Sequence, residues 1–328
     1  MVMLNRRYAV GLLATMIGAA QVPGLVEAAL RKPKLAGRLG IQLYMLAEPA
    51  TRDLTGTLKQ VRDIGYREVE LAGFHGKTAP QMRAELDKAG LVCPSVHTSF
   101  EPFRPGSPAL TDVPAVIEII KAVGATNAVV ALYPFLQALM KRPDASTLFA
   151  DRAKGASAIA EIGRAMTADD WLGFARQLNE TGAMLAKAGI RIGYHNHDVE
   201  FAKLANGQLA YDLLVASTDP KLVSFELDIG WAASAGQNPI ALLKRHHGRI
   251  TQLHLKDLAA GTAGTNLDMK SVDVGTGVVD WKGLLVALRD SNVEHLYVEQ
   301  EPPFTSPPID AARAAFTFLA PRLARAQL

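Results

Sequence analysis

The chain has 328 residues, 49% hydrophobic and 20% charged, an ordinary globular composition. Its 35 basic against 32 acidic side chains leave a net charge of +3, which excludes the basic field of a nucleic-acid binder. The single cysteine, Cys93, excludes an internal disulfide framework and a multi-cysteine zinc site, and its apolar setting LVCPSV reads as a buried structural thiol.

At the N-terminus, Arg6 and Arg7 precede an uncharged stretch from Tyr8 to Val26. Its apolar core has the length of a signal-peptide h-region and is short for a spanning helix. Val26 and Ala28 suit the small-residue rule for cleavage after Ala28. The paired arginines resemble a twin-arginine signal, which exports folded proteins; a general secretory signal or an uncleaved anchor is the alternative. Residues 1–30 are therefore expected to be a signal peptide and the mature protein periplasmic or secreted. No later segment is apolar and long enough to suggest a membrane span.

From residue 38 short apolar runs alternate with longer amphipathic ones. The apolar runs are RLGIQLYML (38–46), YREVELAGF (66–74), LVCPSVHTSF (91–100), ATNAVVALYP (125–134), IRIGYHNH (190–197), LVSFELDIG (222–230), RITQLHLKD (249–257) and EHLYVEQE (294–301). They have strand length and are rich in Val, Ile, Tyr and Phe. Between them, Leu54, Leu58, Val61 and Ile64 recur at helical spacing, as do Leu172, Phe174, Leu178 and Leu185. Gly65, Gly90, Gly124 and Gly189 stand where left-handed helix caps are expected. Eight such βα units predict a single-domain (β/α)8 barrel, an α/β TIM barrel fold. The doubly wound alternative lacks a GxGxxG after its first strand. The stretch 136–167 reads as an insertion over the barrel mouth, carrying short helices, and 259–277 as a second loop.

In such a barrel the active site lies at the C-terminal strand ends. Strand three ends in His97. Strand five ends in His195, Asn196 and His197, with Glu200 beyond. Strand six ends in Glu226 and Asp228, strand seven in His254, Lys256 and Asp257, and strand eight in Glu299 and Glu301. Residues two apart on a strand share a face, which pairs His195 with His197 and Glu226 with Asp228. Singly, each is as readily a hydrogen-bonded core residue or a cap. Together, His, Asp, His and Glu on four successive strands converge. Carboxylates crowded there repel one another unless a cation joins them. Mixed imidazole and carboxylate ligation suits manganese, cobalt, iron or zinc better than calcium.

The pieces LGIQLYML, GYREVELAGF, VHTSF, IGYHNHDVEF, FELDIGW, ITQLHLKD, VGTGVVDW and LYVEQE identify residues 37–325 as resembling the xylose isomerase-like TIM barrel superfamily, in its sugar phosphate isomerase/epimerase group. The resemblance implies one divalent metal, manganese foremost and otherwise cobalt, zinc, iron or magnesium. Its ligands there are an acidic residue on strand five, Asp on six, His on seven and Glu on eight. Asp228, His254 and Glu299 match this set; strand five departs from it with His195, Glu200 being the other candidate for the fourth ligand. Glu299 matches the family's strand-eight base, and His197 is the expected second proton-transfer group. His97, Glu200, Lys256 and Trp231 are the expected substrate contacts, and Tyr44 and Phe100 could stack on a sugar face. Trp231 stands where the endonuclease relatives have a further metal-binding histidine, which argues against a nuclease.

The implied reaction is isomerisation or epimerisation by proton abstraction beside a carbonyl of a free or oxidised (keto) sugar. The alternative is a lyase or hydrolase of 3-keto-glycosides using the same site. A non-catalytic periplasmic sugar-binding protein is the reading from another class. The expected partner is a small sugar, with neither nucleic acid nor, once the signal is cleaved, membrane; a homo-oligomer is compatible with the sequence.

Overall fold

The computed structural model describes residues 35–101, 109–261 and 264–328; the expected signal, residues 1–30, lies outside them. The strands are β1 (Gly40–Gln42), β2 (Glu68–Leu71), β3 (Val92–Thr98), β4 (Asn127–Ala131), β5 (Arg191–His195), β6 (Val223–Asp228), β7 (Ile250–Leu255), β8 (Asp257–Leu258), β9 (Ser271–Val272) and β10 (His295–Val298). Eight of them close a barrel in the order β1-β10-β7-β6-β5-β4-β3-β2, parallel at every described pairing. The short β8 and β9 pair antiparallel beside it.

Helices outside and packed side chains inside cover both faces of the barrel, so β2, β6, β7 and β10 are buried at every residue. That is why the polar steps of these strands, such as Glu70 in EVEL and His254 in ITQLHL, are as buried as the apolar ones. The helix Leu54–Ile64 buries Leu54, Thr57, Leu58 and Val61, with Ile64 at its margin. The helix Ala168–Ala186 turns Trp171 rather than Leu172 to the core, beside Phe174, Leu178 and Leu185. A Thr167–Asp170 capping box fixes where it starts. Gly90 and Gly124 end their helices at φ 72° and 84°, backbone that glycine adopts without steric cost.

All eight barrel strands are shorter than their apolar runs, and two of the runs pass directly into helix. After β1 the chain turns into a 3₁₀ segment, Leu43–Leu46. After β6 it enters the helix Ile229–Ser234, whose first turn is capped by the Asp228 side chain accepting from Trp231 N at 2.9 Å. The stretch after β4 forms three helices, Phe135–Met140, Ala145–Ala150 and Arg152–Ala165. The loop after β7 is organised around Asp257. Its buried carboxylate accepts from the backbone N–H groups of Leu258, Gly275, Gly277 and Val279 and from Trp281 Nε1. Cys93 is buried and unpaired.

Candidate active site

Register brings the chemistry together. His195 on β5 pairs with Glu226 on β6, Asp228 pairs with His254 on β7, and His254 pairs with Tyr297 on β10, two residues before Glu299. With the two-residue period of a strand, the inward positions of neighbouring strands form tiers.

The lower tier is a hydrogen-bonded set of carboxylates and imidazoles. Glu226 Oε2 lies 3.0 Å from His97 Nε2, 3.0 Å from His195 Nδ1 and 3.1 Å from His254 Nε2. Glu70 Oε2 lies 2.7 Å from the same His254 nitrogen and 3.2 Å from His97 Nε2, and accepts from Gln42 Nε2 at 2.9 Å. Ser95 Oγ donates to its other oxygen, and Gln252 Nε2 donates to Glu226 Oε1 at 3.0 Å. Burial opposes ionisation of Glu70, but His97 and His254 beside it hold it well below the usual carboxylate range. Burial and the Glu70 charge oppose ionisation of Glu226 as well, and its imidazole neighbours outweigh them, bringing it down to about 2. His97 in turn, although burial disfavours its cation, is raised to about 10 by Glu70 and Glu226.

This tier aims the one above. With Nδ1 of His195 held by Glu226, its Nε2 faces Asp228 Oδ2 at 4.0 Å. With Nε2 of His254 held by Glu70 and Glu226, its Nδ1 faces Glu299 Oε2 at 2.8 Å and Asp228 Oδ2 at 3.8 Å. Carboxylates holding the far nitrogen are how metal-binding imidazoles are oriented. Asp228 Oδ2, His254 Nδ1 and Glu299 Oε2 lie within 4.8 Å of one another. Ligand bonds of about 2.0–2.2 Å to a shared ion require separations of that order.

The donor set fits a cation on a further observation. Asp228 Oδ2 is buried and accepts no hydrogen bond of good geometry, although the Lys256 ammonium stands 3.0 Å away. Burial outweighs the nearby Lys256 and His254 charges and leaves its carboxyl above the ordinary value. His97, His195, Glu226 and His254 also cluster within 4.8 Å, and in both groups imidazole nitrogens lie at hydrogen-bonding distance from carboxylate oxygens.

Lys256 is fully buried, its Nζ 3.0 Å from Asp228 Oδ2, 2.9 Å from Glu299 Oε2 and 3.2 Å from Glu301 Oε1. Burial works against its charge, and the three carboxylates outweigh it, raising the ammonium above the usual lysine range. Gly230 makes this path open, because a Cβ there would stand 2.9 Å from the Lys256 stem. For Glu299 burial opposes ionisation, while Lys256 and His254 hold its carboxyl well below the ordinary range, so it is an anion at neutral pH.

A cavity of about 400 Å³ opens above these groups. Its polar side carries His97, His195, His197, Glu299 and Glu301, with Trp231 beside them. His197 lies two residues past the end of β5 yet its ring packs 4.9 Å from that of His195 and 5.3 Å from Trp231. Its Nδ1 is buried without a partner, and burial, then the Lys256 charge, push the imidazole well below its usual value, keeping it neutral. Trp231 Nε1 is likewise unpartnered.

Other expected contacts are placed differently. Lys256 lies beneath the cavity rather than on its wall. Glu200 is fully buried, with Oε1 2.7 Å from Tyr194 OH and Oε2 accepting from His197 N at 2.9 Å. It is neither in the Asp228, His254 and Glu299 cluster nor on the cavity lining. Phe100 packs between Tyr133 and Phe174, away from a sugar-stacking position, whereas Tyr44 lines the cavity. Glu70 with its partners Gln42 and Ser95, and Gln252, the partner of Glu226, were not singled out from the sequence.

Residues 58–322 match the xylose isomerase-like TIM barrel family. Inosose dehydratase of Geobacillus thermodenitrificans is 29% identical over 155 residues, 43% of this chain and 51% of that protein. The chain thus spans about half the length of the curated relatives it matches. A sugar phosphate isomerase/epimerase from Parabacteroides distasonis superposes with a TM-score of 0.68 at 20% identity, covering 86% of this chain and 97% of that one. The IOLI protein, whose structure holds a zinc atom, superposes with a TM-score of 0.60 at 15% identity over 88% of this chain and 98% of its own. At these identities the structural likenesses are of fold.

Proposed function

Because the chain belongs to the xylose isomerase-like TIM barrel family, we propose that its barrel mouth removes a proton beside the carbonyl of an oxidised sugar, with one divalent ion held by Asp228, His254, Glu299 and His195. The observation that carries this reading is the buried Asp228 Oδ2 facing two imidazoles whose other nitrogens carboxylates hold. The bound ion would supply the Lewis acidity that makes a C–H beside a carbonyl easier to remove. Two imidazoles and two carboxylates suit manganese, zinc, cobalt or iron.

Glu299, anionic at neutral pH and on the cavity wall, takes the proton. For a 3-keto-glycoside that proton is on C2. The electron pair then forms the C1–C2 double bond as the bond from C1 to the aglycone oxygen breaks, and the proton on Glu299 passes to the departing alcohol. Carboxylate, enone and alcohol balance with no further reactant, and addition of water to the enone gives net hydrolysis. His197, neutral with an unpartnered Nδ1, faces the substrate oxygens, and Trp231 Nε1 offers a donor. Elimination is favoured because both cavity carboxylates, Glu299 and Glu301, follow β10, while β5 brings an imidazole to the other side. The name inosose dehydratase of the relatives points the same way, to loss of a β-oxygen from a keto-polyol.

Isomerisation or epimerisation is the second reading, supported by the structural neighbour named as an isomerase/epimerase. The proton then returns to a sugar carbon, with His197 moving the hydroxyl proton. The test is incubation with 3-keto-glucosides and Mn²⁺ in D₂O. Elimination followed by hydration predicts released alcohol together with deuterium at C2 of the hydrated sugar product, both lost in Glu299→Gln. Exchange without alcohol release assigns isomerisation. Binding without any exchange would overturn proton abstraction and leave a sugar-binding protein.

A further inference from the structure

Much of the remaining cavity lining is aliphatic. Leu136 and Leu139 stand one turn apart on the helix Phe135–Met140, Leu148 comes from the next helix, and Ile159 from Arg152–Ala165. Leu132 and Leu267 complete the wall. These last two are unusual in their backbone. Among the described residues only four other than glycine have positive φ; Leu132 at 53° and Leu267 at 55° are two of them, and both line this cavity. A leucine in left-handed backbone costs roughly 1 kcal/mol or more and persists where the surroundings hold it, typically at ligand-binding positions. Leu267 is held by its N–H donating to Asp198, 3.0 Å from Oδ2. Beside the wall, Gly155 and Ala156 leave room; Ala156 is half-buried and faces the cavity.

A free sugar presents hydroxyls around its rim and has no use for six aliphatic side chains in the same cavity. An amphipathic molecule does. We infer that the substrate is a glycoside with an apolar aglycone, its sugar toward His195, His197 and Glu299 and its aglycone against Leu132, Leu136, Leu139, Leu148, Ile159 and Leu267. The inference rests on the keto-glycoside reading above and adds the chemistry of the leaving group. Burying an aryl or alkyl group on this wall takes it out of water, and a methyl aglycone gains little of that. A hydrophobic pocket discriminates by roughly 10–200-fold per well-packed increment.

Calorimetry with phenyl β-D-glucoside and methyl β-D-glucoside, neither of which can be enolised, tests the wall apart from turnover. The wild-type protein should bind the phenyl glucoside at least about tenfold more tightly. Ala156→Phe, which fills the space before the wall, should bring the two affinities together while leaving the methyl glucoside unchanged. Leu132→Gly, which relieves the left-handed leucine, should lower the phenyl preference without loss of thermal stability, and it stands in should the Phe variant not fold. Equal affinities in the wild type, binding of neither glucoside, or a phenyl preference untouched in folded variants would overturn the inference. Turnover of both 3-keto-glucosides with equal affinities would leave the proposed reaction standing and remove the aglycone wall. A phenyl preference without exchange on either keto form would do the reverse.

Discussion

Glu200→Gln tests whether this carboxyl belongs to the scaffold or to the metal. Glu200 is fully buried, and burial pushes its pKa up to about 8 from an ordinary 4.5. At neutral pH it is therefore largely a neutral acid, and the hydrogen bonds agree with that state. Tyr194 OH can donate to Tyr133 O at 2.9 Å, which frees its oxygen to accept from the Glu200 hydroxyl at 2.7 Å. The other Glu200 oxygen accepts from His197 N at 2.9 Å. A glutamine reproduces the pattern, its amide N–H replacing the hydroxyl.

Between pH 4.5 and about 8 the folded state holds a proton that the unfolded chain has lost, so stability falls as pH rises through that window and is flat above it. A gap of about 3.5 units corresponds to about 5 kcal/mol, an upper bound because local opening admits water. Glutamine has no such dependence. Urea unfolding at pH 5 and at pH 8.5 should show the variant close to wild type at the lower pH and more stable by several kcal/mol at the higher one. Metal content should not change. A difference that is the same at both pH values would refute the buried neutral acid, and loss of metal would make Glu200 a ligand.

Asp228→Ala removes an anionic oxygen of the proposed ligand set and should leave protein purified by the same route without its divalent ion, read by elemental analysis; full retention would remove Asp228 from the ligand set. His197→Asn should slow turnover of a keto-sugar by roughly 10²–10⁴ if the imidazole moves a proton, whereas a loss below tenfold would assign it hydrogen bonding alone. A reporter fused to residues 1–35 should reach the periplasm, and Arg6→Lys with Arg7→Lys should block it; normal export of the double variant would leave a general secretory signal.

What was legible in the sequence follows from which forces are local. The barrel could be read because eight strand-length runs rich in Val, Ile, Tyr and Phe alternate with amphipathic ones, and because Gly90 and Gly124 mark where helices stop. Asp228, His254 and Glu299 could be read because strand ends carry the chemistry in this architecture. Glu70 could not. In EVEL it looks like one polar step of a half-exposed strand, and its meaning comes from His97 and His254, far away in sequence. The burial of Lys256 was equally hidden, since it depends on three carboxylates from two other strand ends and on the absence of a side chain at Gly230. The aliphatic wall depends on how the insertion's helices dock, which their own periodicity does not tell.

The histidine on strand five ties these features together. The resemblance implies a carboxylate there, and His195 removes one negative charge from the ligand set. Asp228 and Glu299 then supply two anions to a divalent ion, while Lys256 is matched by Glu301 at 3.2 Å. The buried site closes near neutrality, which lowers the cost of holding it away from water. A third carboxylate would have left an uncompensated charge beside a base already held anionic. The same replacement removes the base from the side facing Glu299, and with it the symmetry that a two-carboxylate epimerisation needs. What remains is an anionic acceptor on one side of the substrate and neutral imidazole on the other. That asymmetry suits taking a proton and releasing a neighbouring oxygen better than passing a proton from face to face.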